Sequence, residues 1–507
     1  MLGRLKSLSL LGLSGEEVEV EVDLHRGLPR FTIVGLADTA VQEAKERVRS
    51  AIKNSGFEFP RGVVSVNLAP ADLRKHGPRF DFPIALGILH ATGQIVLPEN
   101  WDEKIFLGEL SFQGDLRPIP GILPSTSNAA DRGFREIYVP SENSREASVI
   151  KDIDVFSIKS LKECCEHLMR STKLSPVPHT ILETVEFPEN FEYDMRHIKG
   201  QEHAKRALEI AAAGGHNILM IGPPGSGKSM LAKSLATILP KLTIEEALEI
   251  TKVHSIAGLI HENEPIILQR PFRSVHHTSS GVAIVGGGNP PRPGEISLSH
   301  RGVLFLDEFA EFSVKTLEVL RQPLEDGTIT ISRASGTCTF PAQMMLVAAM
   351  NPCPCGFQGD PHKDCTCPAQ QIIRYQNKLS GPLLDRIDLH VEVPRIPFEK
   401  LAGIQTTESS KDIRARVEKA REIQRQRFAS KHIQCNSEMT SPMVKEFCEI
   451  DEETNNLLHA AVVQMNLSGR AFYRILKLAR TIADLAENPR IQLAHTAEAV
   501  QYRERTR

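Results

Sequence analysis

The stretch that most constrains the fold is Asn217 to Ala236, NILMIGPPGSGKSMLAKSLA. An apolar run, Ile218 to Ile221, enters the turn Gly222, Pro223, Pro224, Gly225, Ser226, Gly227, Lys228, Ser229, and helix-forming residues follow. A GxxxxGKS turn between a strand and a helix implies an α/β unit that cradles phosphate. The glycines let the backbone curl so that its N–H groups converge on a phosphate chain, and the helix N-terminus adds partial positive charge. Lys228 is expected to reach the β and γ phosphates and the Ser229 hydroxyl to hold Mg²⁺, with ATP as the ligand.

At 507 residues the chain is too long for one core, so two or three domains are expected. A net charge of −3 makes no global case for nucleic acid, and any such surface must be local. No apolar run is long enough to span a bilayer, so no membrane partner is expected. The opening MLGRLKSLSLLGLSGEE runs quickly into Glu16 and Glu17 without a cleavage site. It reads as a first strand, not a signal peptide, and a cytoplasmic location is expected. Four of the nine cysteines cluster, which suggests metal instead of a disulfide framework.

Val18, Val20 and Val22 alternate with acids, the period of a half-buried strand. Phe31 to Leu36 is a second strand. Asp38 is placed to cap a helix from Ala40 to Asn54, and Gly56 to end it. Val63 to Leu68 returns as a strand and Asp81 to Thr92 as an apolar helix. The alternation of elements continues through Ile105 to Leu110, Leu123 to Ala130 and Ile137 to Val139. An α/β domain over 1–170 follows, and the Pro, Ser and Thr content of 171–190 predicts a linker. VNLAPADLRKHGPRFDFPIALG (Val66 to Gly87) and FLGELSFQGDLRPIPGILPSTSNAA (Phe106 to Ala130) are similar to the proteolytic domain of Lon proteases, a ribosomal-S5-domain-2-like fold, and to the matching domain of RadA. Lon chemistry needs a serine nucleophile and a lysine base. Here the turn reads Gly77-Pro78-Arg79-Phe80-Asp81 and no lysine follows Gly121 in the matching place, so the resemblance implies a structural platform and not a peptidase. For Lys75, His76, Arg79 and Asp81 two readings stand: a nucleic-acid or partner surface, or a solvated loop.

Ile198 and Gln201 precede a helical pattern from Glu202 to Ala213, where a segment is expected to pack on the adenine. Gly302 to Glu308 is an apolar strand ending in two carboxylates. One acid there holds Mg²⁺ through water and the next deprotonates the attacking water, which assigns Asp307 to the metal and Glu308 to the base. Met344 to Ala349 is another buried strand, leading to Asn351. LLDRID carries Arg386. Ser468 is placed to cap a helix with Ala471, Ile475, Leu478, Ile482 and Leu485 on one face. Arg470 lies in that helix's first turn, where a cation needs an anion to meet; Arg474 is a second candidate.

This order of motifs resembles AAA+ ATPases: a core over 191–395 with a cysteine insertion at 353–367, and a helical lid over 396–507. The resemblance implies that Asn351 positions the lytic water and that Arg470 meets the γ-phosphate alongside the loop of its own chain. It also implies that Arg386 is a finger reaching a neighbouring subunit, so that hydrolysis requires assembly. An intrachain pair with Asp385 or Asp388 is the alternative for Arg386. Pro271 to Phe309 looks like magnesium-chelatase-type modules. Together with the Lon-like stretches and NPCPCGFQGDPHKDCTCP (Asn351 to Pro368), it makes nearly the whole chain resemble the YifB/ComM family. That family resemblance implies a hexameric helicase that promotes branch migration in natural transformation and homologous recombination.

The segment between the loop helix and the acid strand is longer than a compact core needs. It carries Arg273, His276, His277, Gly286 to Gly288, Arg292 and Arg301. In chelatase-like rings it would face a central pore and grip single-stranded or branched DNA; no carboxylate at useful spacing makes the histidines a metal site. A hairpin is expected from Thr328 to Pro341, with Arg333 near its tip either on the DNA or solvated. Cys353, Cys355, Cys365 and Cys367 suit tetrahedral Zn²⁺, with His362 as a substitute ligand; a redox-active or reduced cluster is the alternative. A zinc knuckle so placed would brace the subunit interface. Asp412 to His432 is a basic helix, either solvated or a DNA or partner surface. The leading reading is a ring-forming, Mg²⁺-dependent ATPase acting on DNA. A chelatase motor and a protein-remodelling ATPase are the alternatives.

Overall fold

The computed structural model describes residues 2–36, 38–180, 193–333, 336–396, 407–431, 433–465 and 467–503. The first third of the chain forms a mixed seven-stranded sheet. Its order is Arg30–Val34, Val63–Ala69, Ser14–His25, Leu2–Leu11, Lys104–Phe106, Glu136–Pro140, Asp154–Ile158. The alternation at Val18, Val20 and Val22 turns all three valines fully inward. The helix after Asp38 runs Thr39–Asn54, with the Val41 N–H donating to Asp38 Oδ1 at 2.9 Å. The apolar helix Asp81–Ala91 is buried on nearly every side, between this sheet and Thr39–Asn54.

An all-round buried helix draws much of its approach inside with it, and both sequence readings are corrected for Lys75, Arg79 and Asp81, while His76 stays half-buried. Lys75 and Asp81 are fully buried and Arg79 nearly so. Arg47 clasps Asp81 through two bonds of 2.6 and 3.1 Å. Arg79 donates to Pro120 O at 2.9 Å, Ser125 Oγ at 3.3 Å and Leu8 O at 3.5 Å; burial pushes its pKa down to about 10. The stretch read as a linker also departs from expectation where it is described. Val177 N donates to Val155 O at 2.8 Å and Thr180 N to Ser148 O at 3.1 Å, so 171–180 lies along the sheet. The remainder of that stretch lies outside the described residues.

The second sheet is wholly parallel, in the order Phe272–Val275, Val303–Leu306, Met345–Met350, Ile218–Ile221, Leu389–Glu392. Its three central strands are continuous apolar runs, as burial on both faces requires, while the two edge strands carry polar residues. The loop strand Ile218–Ile221 sits inside the sheet, so its carboxyl end opens onto a crevice, the usual ligand position in such sheets. Helices Ser410–Arg427, Gly469–Leu485 and Leu493–Gln501 share one core with Glu202–Gly214, through Ile413, Val417, Ile475, Leu478 and Ile482. Ser468 caps its helix as expected. The basic helix spends cations on intrachain carboxylates: Arg416 on Glu209 and Glu408, Arg425 on Glu422, Arg427 on Asp484. The two sheets meet where Ile244–Ala257 docks on Ile122–Asp131, burying Leu123, Val149, Ala247 and Ile250. Among the described residues no helix is long and apolar enough to cross a membrane.

Candidate functional site

Gly225 and Gly227 hold φ of 78° and 92°, a left-handed backbone that glycine tolerates best. A Cβ built on either would meet nothing within 4 Å, so both glycines border open space. Helix Lys228–Leu235 begins at its edge. Lys228 Nζ donates to Gly222 O at 2.8 Å, Pro223 O at 2.9 Å and Asn351 Oδ1 at 3.3 Å. Burial lowers its pKa from the usual lysine range, against the pull of Asp307. Ser229 Oγ donates to Asp307 Oδ2 at 2.7 Å. Two adjacent hard oxygens of this kind fit the partial ligand set that Mg²⁺ takes beside a triphosphate.

Asp307 and Glu308 follow the strand Val303–Leu306. Glu308 has φ 52° and ψ 46°, a conformation uncommon outside glycine, and such strain clusters at functional positions. Its carboxylate lies 2.9 Å from His277 Nδ1. Asn351 follows Met345–Met350, whose last carbonyl accepts from Gly222 N at 3.2 Å. Gln201 Nε2 donates to Pro394 O at 2.6 Å, beside the Val393 carbonyl that Gly222 abuts. Ile198 is committed to the core with Met220 and Leu231. The carboxyl ends of three neighbouring strands therefore gather Gly222 to Ser229, Asp307, Glu308 and Asn351.

Arg386 and Arg470 lie elsewhere. The Arg386 carbonyl accepts from Asn217 Nδ2 at 3.0 Å, and Asn217 is at the amino end of the loop strand. The four-residue strand, at about 3.3 Å per residue, sets them ~13 Å from the loop. The Arg386 guanidinium meets Glu325 and Pro382 O, so neither Asp385 nor Asp388 holds it; Asp388 belongs to Arg474. Arg470 reaches the same Glu325 at 3.4 Å. The expected grouping of Arg470 with its own chain's loop is corrected: packing on Glu202–Gly214 carries helix Gly469–Leu485 to the far end of the sheet. Arg386, Arg470, Arg474, Arg270 and Lys477 line a cavity of about 630 Å³ there.

Of the candidate DNA contacts, Arg273 lies within strand Phe272–Val275 and is gripped by Glu295 at 2.6 and 2.8 Å. His276 and His277 follow that strand with rings 4.1 Å apart. The partner carboxylate that spacing did not reveal is Glu308: the ligand atoms of His276, His277 and Glu308 all lie within 4.8 Å of one another. The hairpin forms as Thr328–Arg333 against Gly336–Pro341, with residues 334–335 outside the described set. Arg333 is exposed, and its Nη2 would lie 3.2 Å from a Cβ on Gly287. Hairpin tip and glycine segment are thus side by side.

Cys353, Cys355 and Cys365 hold their sulfurs 3.4 to 3.6 Å apart, and Cys355 N donates to Cys367 Sγ at 3.3 Å. Sulfurs about 2.3 Å from a central Zn²⁺ stand ~3.8 Å from one another, so the cluster has the size of a tetrahedral site. N–H groups of Phe357 and Thr366 bring the Cys355 thiol down to about 6. For Cys365 the Cys367 N–H acts the same way but is outweighed by desolvation and the Cys353 and Cys355 sulfurs, and its thiol goes up to about 12. A cation relieves that crowding. His362 is not among the clustered ligands. The knuckle rests on Pro224 of its own chain's loop, a contact that its expected role as an interface brace did not include. Sequence reasoning missed Glu325, the His277–Glu308 pair and this knuckle contact; each joins ordinary residues far apart in the chain.

Three family models match the chain. They are described as magnesium chelatase, subunit ChlI, over residues 194–401; subunit ChlI of Mg-chelatase, over 20–143; and magnesium chelatase, subunit ChlI C-terminal, over 407–503. The chain is 44% identical over 502 residues to Competence protein ComM of Haemophilus influenzae, covering 98% of this chain and 96% of the relative. It is 43% identical over 495 residues to Uncharacterized protein YifB of Escherichia coli, covering 97% and 95%. A segment of 49 residues, 10% of this chain and 8% of the relative, is 49% identical to Archaeal Lon protease of Archaeoglobus fulgidus.

Proposed function

Since the chain belongs to the YifB/ComM family of magnesium-chelatase-like proteins, we propose that it is a ring-forming AAA+ ATPase that drives branch migration of DNA. One observation carries the proposal: Lys228, Ser229, Asp307, Glu308 and Asn351 converge at one end of the parallel sheet, while Arg386 and Arg470 crowd the other. A subunit built this way holds a triphosphate but keeps its arginines for the next subunit. Lys228 and the loop N–H groups bind phosphate, Ser229 and Asp307 hold Mg²⁺, Asn351 orients water, and Glu308 takes its proton. Mg²⁺ supplies charge neutralisation of the β and γ phosphates. The cysteine knuckle holds Zn²⁺ in the same proposal. The division into 1–170, a linker, 191–395 and 396–507 belongs to it too, with a Lon-like first domain, a hexameric ring and a cytoplasmic site of action.

The word competence in a relative's name and the exposed Arg333 hairpin support DNA as the substrate. The test is ATP hydrolysis and three-stranded branch migration at low salt, with and without DNA. DNA is expected to stimulate hydrolysis and salt to suppress that stimulation. Glu308→Gln is expected to bind ATP and form rings while hydrolysis falls by about 10²-fold or more. Migration by Glu308→Gln at the parent rate would overturn the base assignment. Absence of any DNA dependence would overturn the DNA motor. The Lon-like segment favours a second reading, protein remodelling, which predicts stimulation by unfolded protein instead.

A further inference from the structure

We infer that the four-cysteine knuckle is a zinc-set strut under the phosphate loop, so that metal occupancy governs nucleotide affinity. The inference rests on the zinc reading above and adds what zinc does for the nucleotide site. The buried strand Met345–Met350 delivers Asn351, whose Oδ1 accepts from Lys228 Nζ, and two residues later the fully buried Cys353. Cys355 is followed by Gly356, with φ of 85°. A Cβ on Gly356 would fall 2.5 Å from Pro224 Cδ, 2.7 Å from Pro224 Cγ and 3.7 Å from Asn351 Cγ. This glycine is therefore wedged between the phosphate loop and the asparagine that touches the loop lysine. A side chain there would push one of them away.

Besides the sulfurs, Gly356 is held by its own N–H, which donates to Cys353 O at 2.9 Å, and its segment by an Asp360–Arg395 pair at 3.2 Å. Residues 352–367 form no helix or strand. Gln376 Nε2 ties the segment at Pro352 O and Gln358 Oε1, at 3.1 and 3.3 Å. Phe357 lies under Lys363 and Arg395. A segment so poor in apolar burial has too little core to fix its own shape, the situation in which a bound metal supplies folding energy. Zn²⁺ would link Cys353 and Cys355, on the loop side, to Cys365 and Cys367 on the return. Four sulfur ligands in a tetrahedron favour Zn²⁺ over Mg²⁺ or Ca²⁺, which take oxygen. With the pairs tied, Gly356 is held against Pro224. With them released, crowded sulfurs separate, and Pro224, Asn351 and Lys228 lose a common support. Coupling of this kind is reciprocal, so bound nucleotide must also tighten zinc.

The test uses the full-length chain purified without chelator, elemental analysis for zinc, and titration with a fluorescent ADP analogue. One zinc per chain is expected. Cys365→Ser, on the return segment away from Pro224, is expected to lose zinc and to bind the analogue more weakly by on the order of ten-fold or more. Its circular dichroism should stay that of the parent. Gly356→Ala keeps all four cysteines and is expected to keep zinc, yet to bind the analogue with a similar loss. Saturating ADP should slow zinc release to a chelating dye. A zinc-free parent protein would overturn the zinc reading and the inference with it. Zinc in the parent, combined with parent-like affinity in zinc-free Cys365→Ser, would overturn the coupling alone. Should Cys365→Ser not fold, zinc-loaded Gly356→Ala decides: parent-like affinity overturns the coupling. Binding needs neither hydrolysis nor DNA, so failure of the motor reading would show separately.

Discussion

Arg79 shows how much of this chain's chemistry is decided one side chain at a time. The sequence resemblance sets it against the nucleophile of a Lon-type turn, yet its guanidinium is buried and spans Leu8 O, Pro120 O and Ser125 Oγ. With no carboxylate in that set, it works as a donor clip between the first strand and the segment before helix Ile122–Asp131. Arg79→Ser would strand two carbonyls and open a cavity. Stability is expected to fall by about 2–4 kcal/mol, read as a lower urea midpoint, with no casein cleavage gained. A variant as stable as the parent would contradict the clip. That Lys228, Ser229, Asp307 and Asn351 meet at one end of the sheet was legible in sequence because loop spacing and strand ends place them locally. Glu325 was not, since an acid in a short helix carries no mark of the two arginines that the fold brings to it.

Elements were legible to the extent that their periodicity shows. In the hairpin, Ile329, Ile331, Cys338 and Phe340 turn inward, while Thr330, Ser332, Arg333, Thr337 and Thr339 do not. That period of two was visible beforehand. What the hairpin leans on was not: Gly12 abuts Cys338 and Leu11 abuts Gly336, so the first sheet's turn props it. The apolar face of Gly469–Leu485 was equally plain, but a stripe of Ala471, Ile475, Leu478 and Ile482 does not name its partner. Packing on Glu202–Gly214 is what moves Arg470 away from its own loop. The docking of 171–180 was hidden because it rests on backbone hydrogen bonds, which composition does not encode. If the hairpin carries DNA, Arg333→Ala is expected to weaken single-strand binding several-fold and to reduce the slope of log affinity against log salt by about one. Arg333→Lys should keep the slope. An unchanged slope in Arg333→Ala would remove the hairpin from the DNA path.

At the scale of the whole molecule, the two sheets meet at helix Ile244–Ala257. The buried Glu146 accepts there from Leu123 N and Ser255 Oγ, one group from each sheet's side. Burial raises the Glu146 pKa, and its three hydrogen bonds oppose the shift. The second sheet displays the candidate phosphate loop at one end and, at the other, a cavity lined by arginines and by the acids Glu246, Glu325, Asp326, Asp388 and Glu438. Such an arrangement suits a head-to-tail contact that repeats until a ring closes. The central claim is that each ATP site is shared: loop from one subunit, Arg386 from the next. Mixing two inactive variants tests it most directly. Lys228→Ala lacks a working loop and Arg386→Ala lacks the finger, and each alone is expected to hydrolyse ATP at least about 10³-fold more slowly than the parent. In an equimolar mixture, roughly a quarter of the head-to-tail interfaces join an intact loop to an intact finger, so hydrolysis should recover to a comparable fraction of the parent rate. A mixture no more active than its components would contradict the shared site.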